Sequence, residues 1–188
     1  MTEEELKTKM SETLKGMAGA YSDSTRKEVM DGETVFLFEM SRRRDGRRIR
    51  VFRNGQIVGK LEGDLSAPDG KPFSPENLQA LIGETLSTDR LWREEAEEAV
   101  KLGMSVEKEL KFKIPLLDGG VFEMRRKYGW MNKVEVSSEL IGDSYDHSVE
   151  YVGPRSVFRA LKLAVRDYPS LLPLLPEEIR MRLVEEKD

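Results

Sequence analysis

Residues 31–62 read DGETVFLFEMSRRRDGRRIRVFRNGQIVGKLE, from Asp31 to Glu62. Three dipeptides punctuate this stretch: Asp31-Gly32, Asp45-Gly46 and Asn54-Gly55. Each can adopt positive φ at little cost, which a two-residue hairpin of type I′ requires. The segments they separate are Lys27–Met30, Thr34–Met40, Arg47–Arg53 and Gln56–Glu62. Four short strands joined by three tight turns predict an antiparallel meander. Val35-Phe36-Leu37-Phe38 is apolar on both faces, which places the second strand centrally. In the third strand Ile49 and Val51 fall on one face, and Arg48, Arg50 and Phe52 on the other.

The period is different before and after the meander. Leu6, Met10, Leu14 and Met17 recur at spacings of four, four and three, predicting an amphipathic helix over 3–18 with an acidic first turn. Ala67 to Phe73 reads as a loop. Ser74 then caps a helix with Pro75 at its first position, running to about Leu86. Thr88 is expected to cap a further helix with Leu91, Trp92, Ala96, Ala99, Val100 and Gly103 on its inner face and the acidic run Glu94–Glu98 solvated.

Strands return with Leu110, Phe112 and Ile114 alternating with lysines, a turn at Asp118-Gly119-Gly120, and the segments Val121–Tyr128 and Met131–Ser138. His147, Val149 and Tyr151 alternate in one more. Pro154 opens a helix bearing Val157, Phe158, Leu161, Ala164 and Val165, and a last helix starts at Pro176-Glu177-Glu178. Between them, Leu171–Leu175 reads as an apolar strip that packs along a core, or else docks a protein partner.

Some words recur. Phe38-Glu39-Met40 is matched by Phe122-Glu123-Met124, and Leu61-Glu62-Gly63-Asp64 by Leu140-Ile141-Gly142-Asp143. Pro75 lies 11 residues after Asp64, and Pro154 lies 11 after Asp143. Chance recurrence in a charge-rich chain and an internal duplication both account for this. The expected fold is α+β: antiparallel β-meanders packed with helices after an N-terminal helix, over 1–188 as a single domain. A duplication would make ββββαα pseudo-repeats of 25–104 and 108–187 sharing a core.

Composition narrows the class. With 38% apolar and 35% charged residues the 188-residue chain has material for a core, so global disorder is not expected. Absence of cysteine excludes disulfides and thiolate metal sites. No apolar run reaches the roughly 20 residues that span a bilayer, and Met1-Thr2-Glu3-Glu4-Glu5 is the wrong start for a secretory signal. A cytoplasmic protein is the expectation, and the sequence leaves a homo-oligomer open.

Charge is segregated. Arg42 to Arg53 holds seven arginines and one aspartate, a local +6, which leaves the rest of a chain of net charge −4 at −10. Guanidinium groups crowded on a hairpin repel unless anions answer them, and phosphate pairs with them bidentately. Arg42, Arg43, Arg44, Arg47, Arg48, Arg50 and Arg53 beside Phe52 combine phosphate neutralisation with a stacking ring, a recipe for single-stranded nucleic acid. Arg125, Arg126, Lys127, Tyr128, Trp130 and Lys133 echo it. Two other readings stand beside this one: a hairpin solvated or paired inside the chain, and a protein-interaction module such as a small acidic chaperone, adaptor or inhibitor.

Catalytic patterns are sparse. Asp143, Tyr145, Asp146 and His147 make the one cluster that resembles a metal or acid–base site, but no further imidazole or thiol supports it. Neither a G-x-S-x-G elbow nor a Gly-rich phosphate loop occurs. The expectation is a non-enzymatic binding module without metal or cofactor.

Overall fold

The computed structural model describes residues 1–18, 24–44, 46–64, 72–127, 133–138, 151–152 and 157–187. The chain is α+β, and it divides into two compact units, Met1–Arg90 and Leu91–Asp188.

The first unit opens with helix α1, Glu3–Ala18. Thr2 and Glu5 form a capping box: the Thr2 hydroxyl accepts from the Glu5 N–H at 3.2 Å, and the Glu5 carboxylate accepts from the Thr2 N–H at 2.8 Å. Leu6, Met10, Leu14 and Met17 are all buried, as their spacing predicts. Each contributes about 1.5–3 kcal/mol of transfer free energy.

The meander follows as β1 (Ser24–Asp31), β2 (Thr34–Arg43), β3 (Gly46–Arg53) and β4 (Gln56–Asp64), hydrogen-bonded in the order β1-β2-β3-β4. All strands are antiparallel, and β2 is central, as its doubly apolar sequence requires. Val29, Phe36, Phe38, Met40, Ile49 and Val51 are buried on its inner face. Val58 is an extra residue on β4, bulged where the register shifts between Val51 and Phe52.

The turns refine the expectation. Arg53 pairs with Gln56, and Asn54 and Gly55 have φ of 46° and 85°, the type I′ pattern. The Asn54 Oδ1 accepts from the Val35 N–H at 2.9 Å. At the first turn Asp31 pairs with Thr34, so the loop residues are Gly32 and Glu33 rather than Asp31-Gly32. Positive φ is needed there at Gly32 alone (60°), which matches type II′ rather than I′. At the second, Gly46 belongs to β3, and Asp45 lies outside the described residues.

Helix α2 spans Pro75–Lys101 without interruption. Its start is as expected: the Ser74 Oγ accepts from the Asn77 N–H at 3.1 Å. The break expected at Thr88 does not occur. Threonine is tolerated inside a helix when its hydroxyl bonds back to the preceding turn, as Thr85 does to the Leu81 carbonyl at 2.9 Å. Thr88 is buried mid-helix instead. Residues Pro75–Arg90 of α2 belong to the first unit. There β4 comes so near that a Cβ on Gly59 would lie 2.8 Å from a Leu81 methyl.

The second unit takes Leu91–Lys101 of α2 and a five-stranded antiparallel sheet. Its strands are β5 (Ser105–Glu107), β6 (Lys111–Pro115), β7 (Val121–Lys127), β8 (Lys133–Ser138) and β9 (Tyr151–Val152), paired in chain order. Strand β5 has no counterpart in the sequence reading. Helix α3 (Val157–Asp167), a 3-10 segment (Pro169–Leu174) and helix α4 (Glu177–Glu185) complete the unit. One buried cluster joins Phe112, Ile114, Phe122 and Met124 of the sheet to Phe158 and Leu161 of α3 and Ile179 of α4. Leu171 and Leu175 belong to it, so the Pro-Leu strip does pack along a core, though Leu172 is exposed. Of the inner face expected for α2, Trp92, Ala96 and Ala99 are buried, whereas Val100 is 57% exposed. No helix among the described residues is long and apolar enough to cross a membrane.

Candidate nucleic-acid interface

Strand alternation sorts the arginines by face. The inner face of the meander carries Phe36, Phe38 and Met40 on β2, facing Arg53, Val51 and Ile49 on β3. Arg53 therefore continues the apolar parity of Ile49 and Val51, and it is 0% exposed. Its Nε donates to the Asp89 carboxylate of α2 at 2.7 Å. The expectation that Arg53 meets a ligand is corrected: burial removes it from any surface and gives it an internal counter-ion.

Arg126 departs from expectation in the same way. It follows Phe122 and Met124 in parity on β7 and is 4% exposed. Its guanidinium pairs with Glu95 of α2, lies 4.6 Å from the Trp92 ring centroid and donates from Nε to the Glu109 carbonyl at 3.1 Å. Burial pushes the Glu95 carboxyl above its ordinary value, although Arg126 and the Val157 N–H oppose the shift. Glu95 is thus no part of a solvated acidic face. Glu98 pairs with Arg182, and only Glu94 and Glu97 of that run are exposed.

The outer face of the meander carries rows of side chains across all four strands. Arg26, Glu39, Arg50 and Lys60 form one row by register. Glu39 is buried between Arg50 and Arg26, the latter at 2.8 Å. Burial raises the Glu39 carboxyl, but the Arg50 hydrogen bond and charge, helped by Arg26, outweigh it and hold the group below its ordinary value. The next row toward the hairpin end holds Ser24, Ser41, Arg48 and Glu62. Glu62 pairs with Arg43 and, at 3.0 Å, with Lys60. Lys60 first, then Arg43, holds its carboxyl low.

Phe52 is not an open stacking platform. It lies on the outer face, as alternation predicts, but is only 8% exposed, with the Arg50 guanidinium 5.5 Å from its ring centroid. In the middle of the outer face Arg26 and Arg50 are therefore tied to Glu39, and the ring is covered.

The hairpin end is different. Arg42 and Arg47 sit directly opposite one another in register, and like charges so placed repel. By parity they project to one face of the ribbon, and Arg43 and Arg48 to the other. Arg42, Arg43 and Arg44 are exposed, and Arg47 and Arg48 half-buried. Among the described residues Arg44 and Arg48 make no ion pair. The seven sequence-predicted arginines thus separate into five at the hairpin end, Arg50 bound to Glu39, and Arg53 withdrawn inside.

In the second unit Arg125 is exposed and its Nε contacts Glu123 at 2.6 Å, while Lys111 lies 3.5 Å from the same carboxylate. Phe122-Glu123-Met124 repeats the local pattern of Phe38-Glu39-Met40: both apolar members are buried and the glutamate is ringed by cations. Lys127 ends β7. Tyr128, Trp130 and the cluster Asp143, Tyr145, Asp146 and His147 lie outside the described residues. So does Leu140–Asp143, the second copy of the other recurring word. No family model matches the sequence, and neither the curated proteins nor the solved structures searched contain a match.

Proposed function

We propose that this protein is a non-enzymatic binding module that takes nucleic acid on the arginine-bearing end of its β2–β3 hairpin. The supporting observation is the concentration of Arg42, Arg43, Arg44, Arg47 and Arg48 at one ribbon end, three of them exposed and two directly opposed in register. Farther along the meander Glu39 lies beside Arg26 and Arg50, and Asp89 beside Arg53, while at the hairpin end Glu62 answers Arg43. Repulsion at the ribbon end is relieved by bringing phosphates to it, and guanidinium suits them because it stays charged and donates in a planar fork. With a net charge of −4, the chain offers a polyanion this one concentrated basic feature rather than a generally attractive surface.

Such binding weakens steeply with salt, because each phosphate contact releases condensed counter-ions. Fluorescence anisotropy with a labelled oligonucleotide across a salt series tests it. Arg42→Glu with Arg44→Glu, both at exposed positions, is expected to abolish binding at moderate salt while circular dichroism stays unchanged. Affinity and salt slope equal to those of the natural sequence would remove the proposal.

A further inference from the structure

Two adjoining rows on the outer face of the meander hold more cations than carboxylates. Arg26, Glu39, Arg50 and Lys60 make up one, and Ser24, Ser41, Arg48 and Glu62 the other. Both carboxylates are taken. Glu39 is held by Arg26 and Arg50, and Glu62 by Lys60 at 3.0 Å and by Arg43 from beyond the row. Arg48 is left over. Glu62 lies directly opposite it in register, yet among the described residues the Arg48 guanidinium makes no ion pair. Its side chain is half-buried, and its Nε is fully buried without a hydrogen-bond partner, as is the Nε of Arg50 two residues along the same strand face. A cation desolvated in this way with no counter-ion is costly, and an unmet buried N–H calls for an explanation. The Arg48 Nη groups, unlike its Nε, are open to solvent. On the neighbouring strand Ser41 sits directly opposite, at a Cβ separation of about 4.5–5.5 Å for such a pair.

We propose that Arg48 and Ser41 form a site for a phosphate group on the outer face of the meander. The Nη groups donate to two of its oxygens and the Ser41 hydroxyl to a third. The adjoining row, with three cations to one carboxylate, adds a positive field. A carboxylate ligand would satisfy both its oxygens on Arg48 alone and leave Ser41 idle, whereas a tetrahedral oxyanion engages both residues. The site shares Arg48 with the nucleic-acid reading above but does not depend on it. Its phosphate is either a backbone phosphate of a bound strand or a free one, and the recognising chemistry is the same.

The test is equilibrium dialysis of the full chain against radiolabelled inorganic phosphate at constant ionic strength. Saturable binding is expected. Arg48→Met removes the charge but keeps an apolar stem in the half-buried position, and should weaken binding about tenfold or more, the scale of a hydrogen bond to a charged group. Lys9→Gln, an equal loss of charge at an exposed position of α1, should leave binding unchanged. Without phosphate, Arg48→Met should melt no lower than the natural sequence, because the cation it removes has no counter-ion in the fold. A lower midpoint would reveal a structural role instead and overturn the site. So would a lack of saturable binding, or equal weakening by Lys9→Gln. An oligonucleotide without terminal phosphates, added to the phosphate-bound chain, assigns the source: displacement marks a backbone phosphate and undisturbed binding a free one, and both uphold the site. A chain that binds phosphate but no oligonucleotide overturns the nucleic-acid reading alone.

Discussion

Arg53 and Arg126 are the two residues whose chemistry and position disagree most. Each continues an apolar parity, after Ile49 and Val51 in one strand and after Phe122 and Met124 in the other, and each meets a carboxylate of α2. A buried ion pair adds little net stability, because desolvating two charges cancels most of their attraction, but removing one partner strands the other. Arg53→Met alone is therefore expected to cost about 3–5 kcal/mol. Arg53→Met with Asp89→Leu should recover most of that loss. Urea denaturation midpoints check both, and a double variant no better than the single one would contradict this account. The signal for burial was present in the sequence, since residues 49, 51 and 53 share a strand face. It is masked because arginine is rarely buried, and the answering Asp89 and Glu95 lie 36 and 31 residues away.

Elements were legible where their boundaries carry chemistry of their own. Asn54-Gly55 marks its turn, Ser74-Pro75 marks the start of α2, and the four apolar residues of α1 mark its inner stripe. The β5–β6 hairpin was not legible because its turn uses the wrong residues. Lys108 and Glu109 have φ of 51° and 54°, a left-handed pair with no glycine or asparagine. Leu110 N–H closes it onto the Glu107 carbonyl at 2.9 Å, and Arg126 Nε holds the Glu109 carbonyl. Side chains in this region are strained, so Lys108→Asn with Glu109→Gly is expected to stabilise the chain by about 1 kcal/mol. A thermal midpoint that fails to rise would refute this. The continuity of helix α2 is hidden in the sequence for a related reason. Thr85, Thr88, Asp89 and Glu95 interrupt its apolar stripe in the sequence, yet all four are buried in the structure.

For the whole molecule, the carboxylates set the response to acid. Glu39 and Glu123 are held below 4.5 by their arginines against the opposing pull of burial; Glu62 is held low first by Lys60, and Glu5 first by its hydrogen bond to the Thr2 backbone. A carboxylate lowered in the folded state contributes stability above its unfolded value and loses it as pH falls through the folded one. Glu95 has the opposite sign, because a raised value makes the folded state take up its proton first. Among the described residues Glu39 and Glu123 are the partly buried members of the lowered set, and through them the chain is expected to lose stability as pH drops below about 4.5. Glu39→Gln should flatten that acid limb, as thermal midpoints across the pH range will show; a limb of unchanged slope would exclude Glu39 as a contributor.

The Asn54-Gly55 turn also keeps time. An asparagine before glycine ages by cyclisation, in which the glycine nitrogen attacks the asparagine side-chain carbonyl and expels ammonia. Here that carbonyl oxygen is engaged by the Val35 N–H at 2.9 Å, and the turn is fixed by a second bond from the Asn54 N–H to the Val35 carbonyl. Folded molecules are thereby protected, and the reaction proceeds mainly in those whose meander has opened. Aspartate and isoaspartate at position 54 then accumulate as a chemical record of how long each molecule has spent unfolded.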